Sequence, residues 1–116
     1  MPAKLVVDDR NHPVTRSLPE TFIAPINEWY QWKPSPREHS NIKVLVSLSA
    51  ENYPFGLKDI VPDGDCPVVW TNTEYRMIYM NMGHGRRIFS DPIQNTLIIA
   101  GLRWLVSIDP KGNVFE

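Results

Sequence analysis

A chain of 116 residues with 42% apolar side chains has enough apolar material for the core of one domain, or of part of one. That composition is the one an ordinary globular chain has, so disorder is not the default, and a formal charge of -1 argues against non-specific attraction to nucleic acid or an anionic membrane. One cysteine, Cys66, excludes an internal disulfide and a cysteine metal cluster.

Residues 4–8 (KLVVD) read as a short strand ending in two acids. A loop from Asn11 follows, with one helical turn through residues 16–18. Residues 22–27 are an edge segment, since Pro25 cannot donate to a central ladder. Glu28-Trp29-Tyr30-Gln31-Trp32 is an aromatic cluster beside a carboxylate, and residues 33–40 form a loop fixed by Pro34 and Pro36. In residues 41–49 (NIKVLVSLS), Ile42, Val44, Val46 and Leu48 alternate onto one strand face. Residues 51–65 mix proline, glycine and charge without a period and read as a long surface loop.

Next come two strands, 68–71 and 76–82, joined by a polar turn around residues 72–74. The second is apolar on both faces, as an interior strand covered from both sides would be. It runs into Gly83-His84-Gly85, where flanking glycines permit a sharp turn and leave a titratable ring at the strand exit. Asp91 then caps a helix over residues 92–107, with Pro92 at its first position. Ile93, Leu97, Ala100, Gly101, Trp104 and Leu105 form its apolar stripe, and Gly101 allows close approach to a sheet. Asp109-Pro110 ends it, before a short tail.

Chemistry has few carriers here. His12, His39 and His84 are the three histidines, none pairs with another at helical spacing, and no metal or cofactor is expected. The phosphate-binding, dinucleotide-binding and serine-elbow glycine motifs are absent from the sequence. Glu28 and Glu74 sit beside rings, where burial would raise a carboxyl pKa and suit it to general acid or base work; an exposed acid at an element boundary is the alternative. Trp29, Tyr30, Trp32 and Trp70 suit a sugar platform, while Trp29 and Trp70 equally suit a core. The opening MPAKLVVDDR lacks the apolar run of a signal peptide, which reads as cytoplasmic, or as exported if a longer precursor exists.

Five short motifs in order, His12-Pro13-Val14-Thr15 with Leu18-Pro19, Asn27-Glu28-Trp29-Tyr30, Pro67-Val68-Val69-Trp70-Thr71, Tyr79 with Gly83-His84-Gly85, and Gly101-Leu102-Arg103-Trp104, resemble the ThuA-like (trehalose-utilisation) family. The resemblance implies an α/β, flavodoxin-like sandwich of the class I glutamine amidotransferase type. Residues 1–116 would be a single, incomplete domain, its C-terminal half, mostly strands and loops with one main helix at about 92–107. It also implies utilisation of disaccharides or oxidised sugars, with hydrolase-like acid/base chemistry at the turn 83–85. In that reading His84 and Glu28 are catalytic, and Trp70, Trp29, His12 and Glu74 bind substrate. The alternative is a non-catalytic remnant that binds carbohydrate or protein, so enzymatic activity stays open. Expected partners are a small carbohydrate and another polypeptide, a second copy or a different chain, because half a sandwich exposes an edge and an apolar face. Neither nucleic acid nor a membrane is expected.

Overall fold

The computed structural model describes residues 2–25, 28–30, 32–49, 65–83 and 85–107. Five strands, β1 Ala3–Val7, β2 Thr21–Ala24, β3 Ile42–Leu48, β4 Pro67–Asn72 and β5 Ile78–Met80, and two helices, α1 Arg86–Phe89 and α2 Pro92–Val106, make a mixed α/β fold. The strands form one sheet in the order β2-β1-β3-β4-β5, and each neighbouring pair is antiparallel. β2 takes a sheet end, and Pro25, which has no N–H to offer a ladder, stands just beyond it. The residues between β1 and β2 close a helical turn, with the Thr15 and Arg16 amides donating to the His12 carbonyl.

Two sequence expectations are corrected. Ile42, Val44, Val46 and Leu48 do not share one face: Val44 pairs with Trp70 while Val46 pairs with the adjacent Val69, so Leu45 is an extra residue. This β-bulge reverses the alternation, a second shift follows between Val46 and Ser47, and Val44 through Leu48 are all buried in the middle of the sheet. The strand expected over 76–82 is shorter, Ile78–Met80, and it ends the sheet among the described residues instead of lying inside it. The expected cover on both of its faces is present. Val69 and Thr71 of β4 pair with Met80 and Ile78, and Trp70 pairs with Tyr79, which divides these side chains between opposite faces of the sheet.

α2 covers the first of those faces. Its Asp91 cap accepts the Gln94 amide at 2.9 Å and Pro92 begins the helix, as the sequence predicts. The close approach expected at Gly101 is present: a Cβ there would meet Met80 Cε at 3.0 Å and Ile78 Cδ1 at 3.1 Å. The core on this side includes Leu5, Phe22, Val46, Leu48, Val69 and Leu97. The outer side of α2 is also apolar, with Ile99, Leu102 and Val106 exposed at helical spacing. Among the described residues no helix is long and apolar enough to cross a membrane. The expected loop up to residue 64, His84, and the tail from residue 108 lie outside the described residues.

Candidate functional site

The face of the sheet opposite α2 is covered by the aromatic segment before β3. Trp70 and Tyr79, paired across β4 and β5, stack with centroids 4.1 Å apart and planes at 18°. Trp32 meets both edge-on at 5.4 Å, and Tyr30 meets Trp32 edge-on at 6.4 Å. At the outer end of this run the Tyr30 hydroxyl donates to Glu28 at 2.8 Å. The Glu28 carboxylate holds the Tyr30 phenol above its ordinary pKa, because ionising it would lose that hydrogen bond and set two negative charges together. Burial alone raises Tyr79. Glu28 and Trp70, expected to line one site, are thus linked through Tyr30 and Trp32.

One end of the β4–β5 pair gathers further groups. The Cys66 thiol donates to the Tyr30 carbonyl at 3.1 Å, and Asn81, one residue past β5, donates its amide to Val68 at 2.8 Å. The segment carrying Glu28 and the strand running toward Gly83 therefore converge at the start of β4. Gln94 of α2, buried, donates its side-chain amide to the Met82 carbonyl at 3.3 Å and holds this exit. Burial, then the neighbouring Asp65 charge, pushes the Cys66 thiol up to about 11, an environment that disfavours the nucleophilic thiolate.

Beside Trp32, Arg37 organises a polar network. Its guanidinium donates to both oxygens of Asp65, at 3.0 and 3.1 Å through Nε, and to Asp8 at 3.3 Å. Ser35 donates to Asp65 at 2.8 Å, and Ser47 donates to Asp8 at 2.7 Å. Partial burial works against the Arg37 charge, but Asp65 and Asp8 more than offset it and hold its pKa up. Trp32, Ser35, Arg37 and Asp65 line a cleft of about 720 Å³. Sequence reasoning missed Arg37, Asp65 and Gln94. Only Gln94 left a trace, a polar residue in helical register with Leu97 and Gly101 on the buried stripe.

The remaining candidates lie elsewhere. His12 packs edge-on against Trp104 of α2, centroids 5.0 Å apart, and accepts the Val14 amide at Nδ1. It stands on the α2 side of the sheet, across from Trp70. Arg76 lies over the same Trp104 ring at 4.5 Å and donates to its carbonyl, which explains why it leaves the line of β5. Glu74 is exposed in the β4–β5 turn, at the far end of that hairpin from Gly83, where Asn72 Oδ1 accepts its amide at 2.8 Å. Trp29 is half-buried and packs on the core. His84 lies outside the described residues. No group of three or more His, Cys, Asp or Glu residues able to hold a metal occurs among the described residues.

The family model described as ThuA, trehalose utilisation, matches residues 1–105. A crystal structure of a ThuA-like protein from Bacteroides uniformis ATCC 8492 superposes with a TM-score of 0.86 at 54% sequence identity, covering 97% of this chain and 46% of that one. The chain therefore spans a little under half the length of that structure. No curated protein matches it.

Proposed function

Because this chain belongs to the ThuA, trehalose-utilisation family, we propose that it serves carbohydrate utilisation, acting on a disaccharide or an oxidised sugar. The observation that carries the reading is the continuous aromatic run from Glu28 through Tyr30 and Trp32 to Trp70 on one sheet face. Rings held edge to face are rigid apolar surfaces, suited to the C–H faces of sugars, and a carboxylate at their end offers an acceptor for hydroxyls. In this proposal the chemistry is hydrolase-like acid/base catalysis at the turn 83–85. His84 is the acid/base and Glu28 orients it or acts as the second acid/base group. The convergence of the Tyr30 and Asn81 segments at the start of β4 supports that pairing. The flavodoxin-like sandwich is completed, in the same proposal, by sequence that this chain does not span.

Product analysis after incubation with trehalose and with oxidised disaccharides tests the reading. Turnover lost in both His84→Ala and Glu28→Ala supports it. Turnover that survives both removes the catalytic assignment.

A second reading, a non-catalytic module that binds carbohydrate or another polypeptide, is favoured by a separate observation. The chain covers 46% of its structural relative, and Ile99, Leu102 and Val106 form an exposed apolar stripe on α2. Large apolar side chains exposed together along one stripe of a helix are normally covered by a partner. Sugar binding without product, together with association that Leu102→Lys abolishes in light scattering, selects this reading. A monomer with sugar turnover rejects it.

A further inference from the structure

The cleft beside Trp32 has a chemistry of its own. Its charged lining is Lys33, Arg37, Glu38 and Asp65, two cations and two anions. The one guanidinium is already engaged by two carboxylates, Asp65 at 3.0 Å and Asp8 at 3.3 Å. Lys33 is open to an incoming carboxylate or phosphate, but to reach Arg37 the anion would have to displace Asp8 or Asp65. With Asp8 counted, it would meet three negative groups, Asp8, Glu38 and Asp65, against two positive ones, Lys33 and Arg37. A hydroxyl group has no such obstacle. It can donate to the Asp65 carboxylate, whose oxygens keep acceptor capacity beyond Arg37 and Ser35, and it adds no charge.

One wall is an aromatic ring held in place. Trp32 makes edge contacts with Tyr30, Trp70 and Tyr79 at interplanar angles of 83°, 89° and 88°, so three neighbours fix its plane. A fixed ring beside a carboxylate–guanidinium pair is an arrangement that recognises a pyranose through its apolar face and its hydroxyls together. Charged hydrogen-bond partners already held by their neighbours lose little freedom when the ligand arrives.

Resting on the carbohydrate reading above, we infer that this cleft is the subsite for an uncharged sugar ring, and that it selects neutral disaccharides over their carboxylated, oxidised forms. Trp32 stacks on the ring. Asp65 accepts hydroxyl hydrogens, and Arg37 is a positioning residue that orients Asp65.

Calorimetric titration of the 116-residue chain with trehalose, and with the aldonic acid of a disaccharide, tests this. The expected result is trehalose binding that is tighter than acid binding by about tenfold or more, the size of a lost charge-assisted hydrogen bond. Asp65→Asn and Trp32→Ala each weaken trehalose by a similar factor. Trp32→Phe, which keeps a ring in the same contacts, weakens it less and guards against a folding defect in the alanine variant, with thermal melts run alongside. Equal or tighter binding of the acid overturns the selectivity. Trehalose binding unchanged in Asp65→Asn and Trp32→Phe overturns the subsite while leaving the carbohydrate reading intact. Binding of neither sugar overturns both.

Discussion

Trp70 and Tyr79 stack face to face at 4.1 Å on the side of the sheet turned away from α2. Their partners one position away, Val69 with Met80 and Thr71 with Ile78, face α2. The shortest strand of the sheet thus carries the helix on one side and the aromatic run on the other. Trp70 is 8% exposed, so it is first a structural residue, and its neighbour Trp32 is the ring that reaches the cleft.

Replacing Trp70 should therefore cost stability before it costs binding. Trp70→Ala is expected to lose about 3–5 kcal/mol in denaturant unfolding, the usual cost of emptying a buried aromatic site. In a double-mutant cycle with Tyr79→Leu, a coupling of about 0.5–1.5 kcal/mol is expected. Strict additivity would mean that the stack contributes nothing beyond burial.

Gly101 separates two effects. Alanine gains about 1 kcal/mol of helix propensity over glycine. Its Cβ, however, would press on Met80 Cε at 3.0 Å and Ile78 Cδ1 at 3.1 Å, both free ends of flexible side chains. Gly101→Ala should leave the melting temperature nearly unchanged, while Gly101→Val, with two more methyls and nowhere to put them, should cost about 1–3 kcal/mol. A stabilised valine variant would mean that α2 does not sit against β5 as described.

Acid should weaken the fold through Asp9. The Lys43 ammonium, 2.8 Å away, holds this carboxyl below its ordinary value of 3.8, with further help from the amides of Asn11 and His12 and against a burial cost. A depressed folded-state pKa contributes stability that is complete above the unfolded value and is lost as pH falls through the folded one. Stability should therefore decline below about pH 4, and Asp9→Asn should flatten that part of the profile. An unchanged acid limb in the variant would show that Asp9 carries none of it.

Much of the framework was legible in the sequence because local patterns set it. The caps Asp91 and Pro92 and the edge-marking Pro25 each act within a turn or two of chain, and Gly101 was legible as a small residue on an apolar helical stripe, although the strand it approaches was not. The position of β5 was not legible, since side chains apolar on both faces report what covers those faces and say nothing of whether a second strand pairs along the free edge. Nor was the bulge at Leu45, which depends on the register with Val69 and Trp70. The polar network failed for another reason. Asp8, Arg37 and Asp65 come from three separate segments, and nothing in their spacing announces that one guanidinium will join them.

The aromatic run and the His12–Trp104 contact lie on opposite faces of one sheet, and that separation gives the most direct test. The indole N–H resonances of the four tryptophans can be followed by NMR while trehalose is added. The account predicts that the Trp32 signal shifts and saturates while the Trp104 signal stays in place. A saturating shift at Trp104 with Trp32 unmoved would contradict it.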